Sequence, residues 1–306
     1  MAANNSLIDY DRLSRHIRFV LLQVLVMLFL SINSLLMITF FQKEYFYTSA
    51  RYILFAVTLL SDSLMLIVTN ILLIFVHFKI DIQGWLCIIV CFVPLLYLTV
   101  TPVTLTAMTL ERYVAICMPL RHGDLCSTRN TMHGILIIHG LSSVPCLIIL
   151  STIFVSASLS FYTKYWRCLI ELILFQAWQH HLRSAVYQFQ FLILCIIIVF
   201  SYIKIMKVAK AASGEDKKST QKGLRTVLLH GFQLLLCLIQ MWCPFIDAAV
   251  LQVNYSLYEI VRYLNFVVFY LAPRCLSPLI YGLRDEVFYH ALKNVAYLGL
   301  YKRNIM

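Results

Sequence analysis

The chain of 306 residues is 61% apolar and only 13% charged, with a net charge of +11 and a mean hydropathy of +0.82. A soluble domain has about a quarter of its residues charged, so a water-facing skin is excluded and a bilayer must be the outer solvent. The apolar runs are continuous rather than alternating, which excludes a barrel and leaves a bundle of helices. The basic residues lie in short segments between those runs, a distribution that argues against nucleic acid as a partner and for contact with anionic lipid.

Residues 1–16 read as an outer N-terminal segment without the basic start, short apolar core and small-residue cleavage site of a leader. Seven apolar stretches follow, each near or above the roughly 20 residues needed to span. They run Ile17–Phe41, Tyr52–Val76, Trp85–Cys117, His133–Val155, Arg183–Met206, Leu224–Val250 and Ile260–Gly282. The expected fold is therefore all-α, one seven-helix domain over 1–306. The two longer connections are the polar Ala157–Leu182 stretch outside and the basic 207–223 stretch inside. No internal repeat is visible, which speaks against a carrier built from duplicated halves.

Lys and Arg counts set the orientation. The first, third and fifth connections and the tail, taken with the adjoining span ends, hold 16 of the 25 basic residues. That side faces the cytoplasm, and the N-terminus lies outside. The acceptor triplets starting at Asn4 and Asn254 both fall outside in this topology, as glycosylation would require. The tail, 284–306, places Val287, Phe288, Ala291, Leu292 and Val295 on one face, the spacing of a short amphipathic helix on the inner leaflet.

Ionisable groups inside a membrane are costly and mark function. At 1.5 Å per residue, Asp62 and Thr101 lie about 16 Å above the cytoplasmic ends of their spans, and Asn33 and Arg274 about 12 Å above theirs. Four helices thus contribute to one buried polar layer, in which an unpaired Asp62 or Arg274 would cost several kcal/mol. Span three ends in Glu111-Arg112-Tyr113 at the inner face, where the carboxylate can neutralise the guanidinium. Cys87 lies about 37 Å up the same helix, and Cys168 is the one cysteine of the long outer connection; an oxidising exterior would allow them to bond. No Ser-His-Asp order or carboxylate pair suggests catalysis, and no cysteine or histidine cluster has metal-ligand spacing, so neither an enzyme nor a cofactor is expected. The adjacent His180 and His181 are read as solvated residues of the outer loop rather than metal ligands.

These motifs, in this order, carry a resemblance. The chain resembles a rhodopsin-like G-protein-coupled receptor, and more narrowly a vertebrate odorant receptor of the fish type. Glu111-Arg112-Tyr113 is similar to the acidic-Arg-Tyr triplet, with Val114-Ala115-Ile116-Cys117 and Pro119-Leu120 in the odorant-receptor form. Ser201-Tyr202, Trp242-Cys243-Pro244 and Ser277-Pro278-Leu279-Ile280-Tyr281 are similar to the family's marks in helices five, six and seven. Ser277 replaces the usual Asn, and Pro94 and Pro102 are unusual within helix three.

The resemblance implies a plasma-membrane receptor of a sensory neuron that binds a small-molecule odorant and activates a heterotrimeric G protein of the stimulatory, olfactory class. A rhodopsin-like receptor for another ligand is the nearest rival, and a channel or carrier the more distant one. The ligand is expected above Trp242, against Leu95, Leu98 and Thr99 of helix three and Tyr187, Gln190 and Phe191 of helix five. Phe245 and Asp247 of helix six and Tyr263, Phe266 and Tyr270 of helix seven complete that wall. The inner switch is expected to hold Arg112 on Glu111 at rest and release it toward Tyr202 and Tyr281. Receptors of this family often hold sodium on the helix-two carboxylate. Here Arg274 is expected to take that place and pair with Asp62, with Ser277 or Thr101 as further acceptors.

Overall fold

The computed structural model describes residues 2–169, 173–212, 217–274, 276 and 286–303. The long helices are α1 (Ala2–Phe41), α3 (Ala50–His77), α4 (Gly84–Cys117), α6 (Thr128–Ser156), α8 (Ala177–Ala212) and α9 (Lys217–Gln240). Shorter ones lie between and after them: α2 (Glu44–Thr48), α5 (Pro119–Leu125), α7 (Leu159–Thr163), α10 (Cys243–Val253), α11 (Tyr255–Asn265) and α12 (Glu286–Arg303). Five of these helices are long and apolar enough to cross a bilayer, and the α9–α10 pair, bent by 47°, is a sixth span. The seventh starts with α11 and a π-helical turn, Phe266–Leu271; 275 and 277–285 lie outside the described residues.

The helices overrun the apolar stretches. The first begins at Ala2 rather than near Ile17, because helix formation does not stop where apolarity does. The fifth begins at Ala177, so His180 and His181 stand in its first turn and not in a loop. Side chains adjacent on a helix diverge by about 100°, which leaves the two rings unable to share one ion. The basic 207–223 stretch is helical on both sides of 213–216, residues outside the described set. Helix α4 continues through Pro94 and Pro102. Helix six does break, one turn before a proline: Pro244 lacks an amide hydrogen and its ring crowds the carbonyl four residues back, on Gln240, where α9 ends.

The core runs down α4, the most enclosed helix of the bundle, with Cys87, Val100, Leu105 and Met108 all within 1% of full burial. Outside the bundle, β1 (Asp81–Gln83) and β2 (Tyr165–Arg167) pair antiparallel, Ile82 opposite Trp166, and lay the outer connection across the top of α4. Lys79 makes the turn into β1 with a left-handed φ of 56°. Gly84 opens α4 under that loop: a Cβ there would stand 2.2 Å from the Phe161 carbonyl oxygen and 2.9 Å from Trp166 Nε1. The Cys87–Cys168 disulfide, anticipated above, fastens the same loop, with Cα atoms 5.4 Å apart. At the other end, Phe288, Ala291 and Val295 of α12 turn into the core while Val287 stays exposed. Phe288 packs against Phe46 at 5.2 Å and Phe55 at 5.6 Å between ring centroids.

Candidate functional site

The buried polar layer is assembled from helices α3, α4 and α9 and the seventh span. Asp62 and Arg274 are 0% and 1% exposed, with Arg274 Nε 3.7 Å from Asp62 Oδ1. Thr101 donates to the same carboxylate oxygen at 3.2 Å, as a donor to Asp62 rather than an acceptor for Arg274. Arg274 Nη1 donates to Gln240 Oε1 at 3.2 Å and to the Tyr270 carbonyl, and Nη2 lies 2.7 Å from Met65 Sδ. The guanidinium also sits 4.2 Å above the Tyr270 ring, a cation–π contact in a dry setting. One cation thereby touches helices two, six and seven at once. Asp62 Oδ2 and Arg274 Nε have no hydrogen-bond partner among the described residues, so the pair is held by charge more than by direction.

Asn33 is buried at the same depth but bonds elsewhere, donating to Ser63 Oγ at 3.2 Å between helices one and two. Ser277 lies outside the described residues. Gln240 is the member of the layer that depth arithmetic did not find. It is a polar residue deep in an apolar span, the same signal that marked Asp62. Gln233, also fully buried, donates to the Pro273 carbonyl at 3.2 Å and ties helix six to helix seven one level below.

The expected ligand wall divides into two groups. On the side of α4 and α8, Leu95, Thr99 and Tyr187 are buried, with Leu98 and Gln190 half-buried. Thr99 is committed, donating to the carbonyls of Leu96 at 2.7 Å and Ser142 at 2.9 Å. By contrast Tyr187 Oη, Gln190 Oε1 and Ser142 Oγ are buried without a hydrogen-bond partner among the described residues. Ser142, on α6, is a residue that the sequence reading missed, although its place one turn before Pro145 in an apolar span was visible. Below this group Phe191 meets Trp242 edge-on at 5.9 Å, and Phe245 lies 5.9 Å from the same indole.

On the seventh span the π-helical turn sets Phe266, Tyr270 and Arg274 at successive four-residue steps. Phe266 stacks on Tyr270 at 5.0 Å, and Tyr270 and Thr69 share a hydrogen bond of 2.5 Å. Tyr270 therefore bridges the outer wall and the polar layer. Asp247 accepts from Asn265 Nδ2 at 2.7 Å, closing the outer ends of helices six and seven. Tyr263 is half-buried nearby in sequence, on the last turn of α11. Asn254, exposed, caps α11 through Oδ1, which accepts from Ser256 N at 2.8 Å. The side chain of Asn4 lies outside the described residues.

At the inner face Glu111 is engaged by His122 Nε2 at 3.1 Å, a partner additional to the Arg112 that the sequence suggests. The chain reversal at Pro119, which opens α5, folds His122 back under the end of α4. Tyr113 lies 6.2 Å from Phe200 on helix five. Tyr202 packs into a notch at Gly231 of helix six, where a Cβ would stand 3.2 Å from its hydroxyl. Tyr202, Met206, Leu228, Gly231, Phe232 and Leu235 line an apolar groove of about 350 Å³ between helices five and six. Pro278 and Tyr281 lie outside the described residues.

Residues 32–281 match the profile of 7 transmembrane receptors of the rhodopsin family. The chain is similar to a zebrafish (Danio rerio) protein named odorant receptor 131-2, 45% identical over 91% of this chain and 86% of that one. It is more distantly similar to zebrafish galanin receptor 2a, 25% identical over 69% of this chain and 58% of that protein. Human galanin receptor type 2 is likewise 25% identical, over 70% and 57%.

Proposed function

Because the chain belongs to the rhodopsin family of seven-transmembrane, G-protein-coupled receptors, we propose that it is an odorant receptor whose small organic ligand binds in the outer half of the bundle. It is a multi-pass membrane receptor and not an enzyme. The finer reading places it in the plasma membrane of a sensory neuron, coupled to a stimulatory, olfactory-type G protein with cyclic AMP as output. The likeness to a fish odorant receptor along nearly the whole chain supports that reading.

The observation that carries the ligand site is the trio of buried polar atoms without partners among the described residues, Tyr187 Oη, Gln190 Oε1 and Ser142 Oγ. A buried polar group left unpaired costs about 1–3 kcal/mol, and a ligand that hydrogen-bonds to it recovers that cost. Beside the trio, the Phe191–Trp242–Phe245 cluster offers an apolar, aromatic floor. A mostly apolar molecule with one or two hydrogen-bonding groups suits such a wall.

Binding drives signalling only through differential affinity for two states of the bundle. A ligand bridging Tyr187 and Phe245 would pull helices five and six together above Trp242, at the break in helix six. Rearrangement of that break reaches Gln240, and through Arg274 the polar layer. Below it, Tyr202 leaves its notch at Gly231, and Arg112 becomes available to the G protein.

The test is a cyclic AMP reporter assay on cells expressing the receptor with a panel of small organic odorants. Tyr187→Phe should reduce potency for hydrogen-bonding agonists about tenfold, the equivalent of one hydrogen bond. Phe245→Ala and Tyr270→Ala should reduce it for all agonists. If both alanine variants leave potency unchanged at equal surface level, the ligand does not bind here.

A further inference from the structure

Cys91 lies on α4 four residues beyond Cys87, one turn deeper and on the same face. Its sulfur is buried and is not in a disulfide. It stands 3.5 Å from Cys168 Sγ and 4.0 Å from Cys87 Sγ. Three sulfurs from two chain segments thus share one dry pocket, although fastening the loop needs only two. A packing role alone would be met by any small apolar side chain. What the thiol adds is chemistry, and its neighbour at van der Waals distance is a disulfide, a bond that a thiol can open.

We infer that Cys91 is a second anchor for the outer loop, so that the loop disulfide exists in two isomers, Cys87–Cys168 and Cys91–Cys168. In the exchange, the Cys91 thiolate attacks Cys168 Sγ. A bond forms between Cys91 and Cys168, and the Cys87–Cys168 bond breaks with its electron pair on Cys87. Cys87 then takes up the proton that Cys91 released. One disulfide and one thiol are present before and after, so the step consumes neither oxidant nor reductant.

The resting geometry favours the Cys87 isomer. Cys91 Sγ lies at similar distances from both bonded sulfurs, abreast of the bond rather than on its axis. The Cys168 side chain must turn before attack can proceed. Interchange therefore belongs to the minutes-to-hours scale of uncatalysed disulfide rearrangement, far slower than signalling.

The two isomers differ in more than a bond. Moving the anchor by four residues draws it about 6 Å down the helix. Cys168 directly follows β2, whose Trp166 faces Ile82 of β1. The second isomer must pull β2 and its paired strand closer to the top of α4, so the strand pair has two slowly exchanging settings.

The experiment uses the intact receptor purified in detergent micelles and held in a mildly alkaline buffer of glutathione and glutathione disulfide. Samples are quenched in acid, alkylated, and mapped by peptide mass spectrometry with fragmentation between positions 87 and 91. Wild type should give both linkages, with Cys91 alkylated in the first and Cys87 in the second. Cys87→Ser supplies the second arm: oxidation by glutathione disulfide should join Cys91 to Cys168. Its surface level should stand several-fold above that of Cys87→Ser/Cys91→Ser. Cys91→Ser alone should keep the Cys87–Cys168 bond and a near wild-type surface level, which separates anchoring from packing. If prolonged incubation of wild type yields only Cys87–Cys168, the interchange is refuted. If Cys91 and Cys168 are both alkylated in Cys87→Ser, or if its surface level equals that of the double variant, the second anchor itself is refuted.

Discussion

Arg274→Leu should harm the receptor more than Asp62→Asn, and adding Asp62→Asn to it should restore much of the loss. The two charges are 3.7 Å apart and sealed from solvent, at 1% and 0% exposure. At an effective dielectric of about 20 they attract by roughly 4 kcal/mol. Leucine at 274 removes that attraction and leaves the buried Asp62 carboxyl with its hydrogen bond from Thr101, while Oδ2 has no hydrogen-bond partner among the described residues. Breaking a buried pair by removing one partner costs about 3–5 kcal/mol. Asparagine at 62 is milder, because the guanidinium keeps Gln240, Met65, the Tyr270 carbonyl and the Tyr270 ring. The double variant loses these contacts but strands no ion, so the coupling should be about 2–4 kcal/mol. The assay is unfolding of the four proteins of the cycle, purified in micelles, with surface levels measured alongside. Additivity within about 0.5 kcal/mol would refute the pairing. So would an Asp62→Asn chain that is the less stable of the two single variants.

With a guanidinium at the helix-two carboxylate, replacing potassium by sodium should leave agonist affinity unchanged in a binding assay; a strong sodium effect would place the ion where Arg274 is drawn. Gly84→Ala should lower surface expression and melting temperature, since its Cβ meets a backbone oxygen at 2.2 Å and overpacking costs about 1–3 kcal/mol; an unchanged melting curve would contradict the loop placement. Glu111→Gln and His122→Ala remove the same 3.1 Å contact, so each should shift basal cyclic AMP alike, and the double variant no further. Arg112→Ala should abolish G-protein activation while ligand binding and surface level persist; unaltered coupling would remove the inner switch.

The spans were legible because a bilayer punishes charge along any 20-residue stretch, and Asp62 and Arg274 stood out against that background. Helix rise set them near one depth, since depth along a span is fixed by residue count, and the resemblance to a family with a cation site on the helix-two carboxylate supplied the expectation that they meet. What depth cannot supply is azimuth. Asn33 lies at the right level but faces Ser63, and the π-helical turn at Phe266–Leu271, which sets the facing of Arg274, leaves no mark in composition. The His122 partner of Glu111 was not legible for a related reason: it comes from beyond Pro119, where the chain folds back under α4. Cys91 was visible at a four-residue spacing from Cys87, but its significance depends on where the loop sets Cys168. Helix ends beyond the membrane, as at Ala177, carry no apolar signal at all.

The break in helix six also has a mechanical side. Above it α10 is eleven residues, about 16 Å, and below it α9 is 24 residues, about 36 Å. If the two arms turn as rigid rods about Met241–Trp242, any displacement at the extracellular tip emerges roughly doubled at the cytoplasmic tip, with the force roughly halved. The long arm therefore suits a task of stroke rather than push: clearing a passage for a partner as the tyrosine leaves the hollow of its glycine. A stiffer contact at Gly231 would stall such a gear from its weak end.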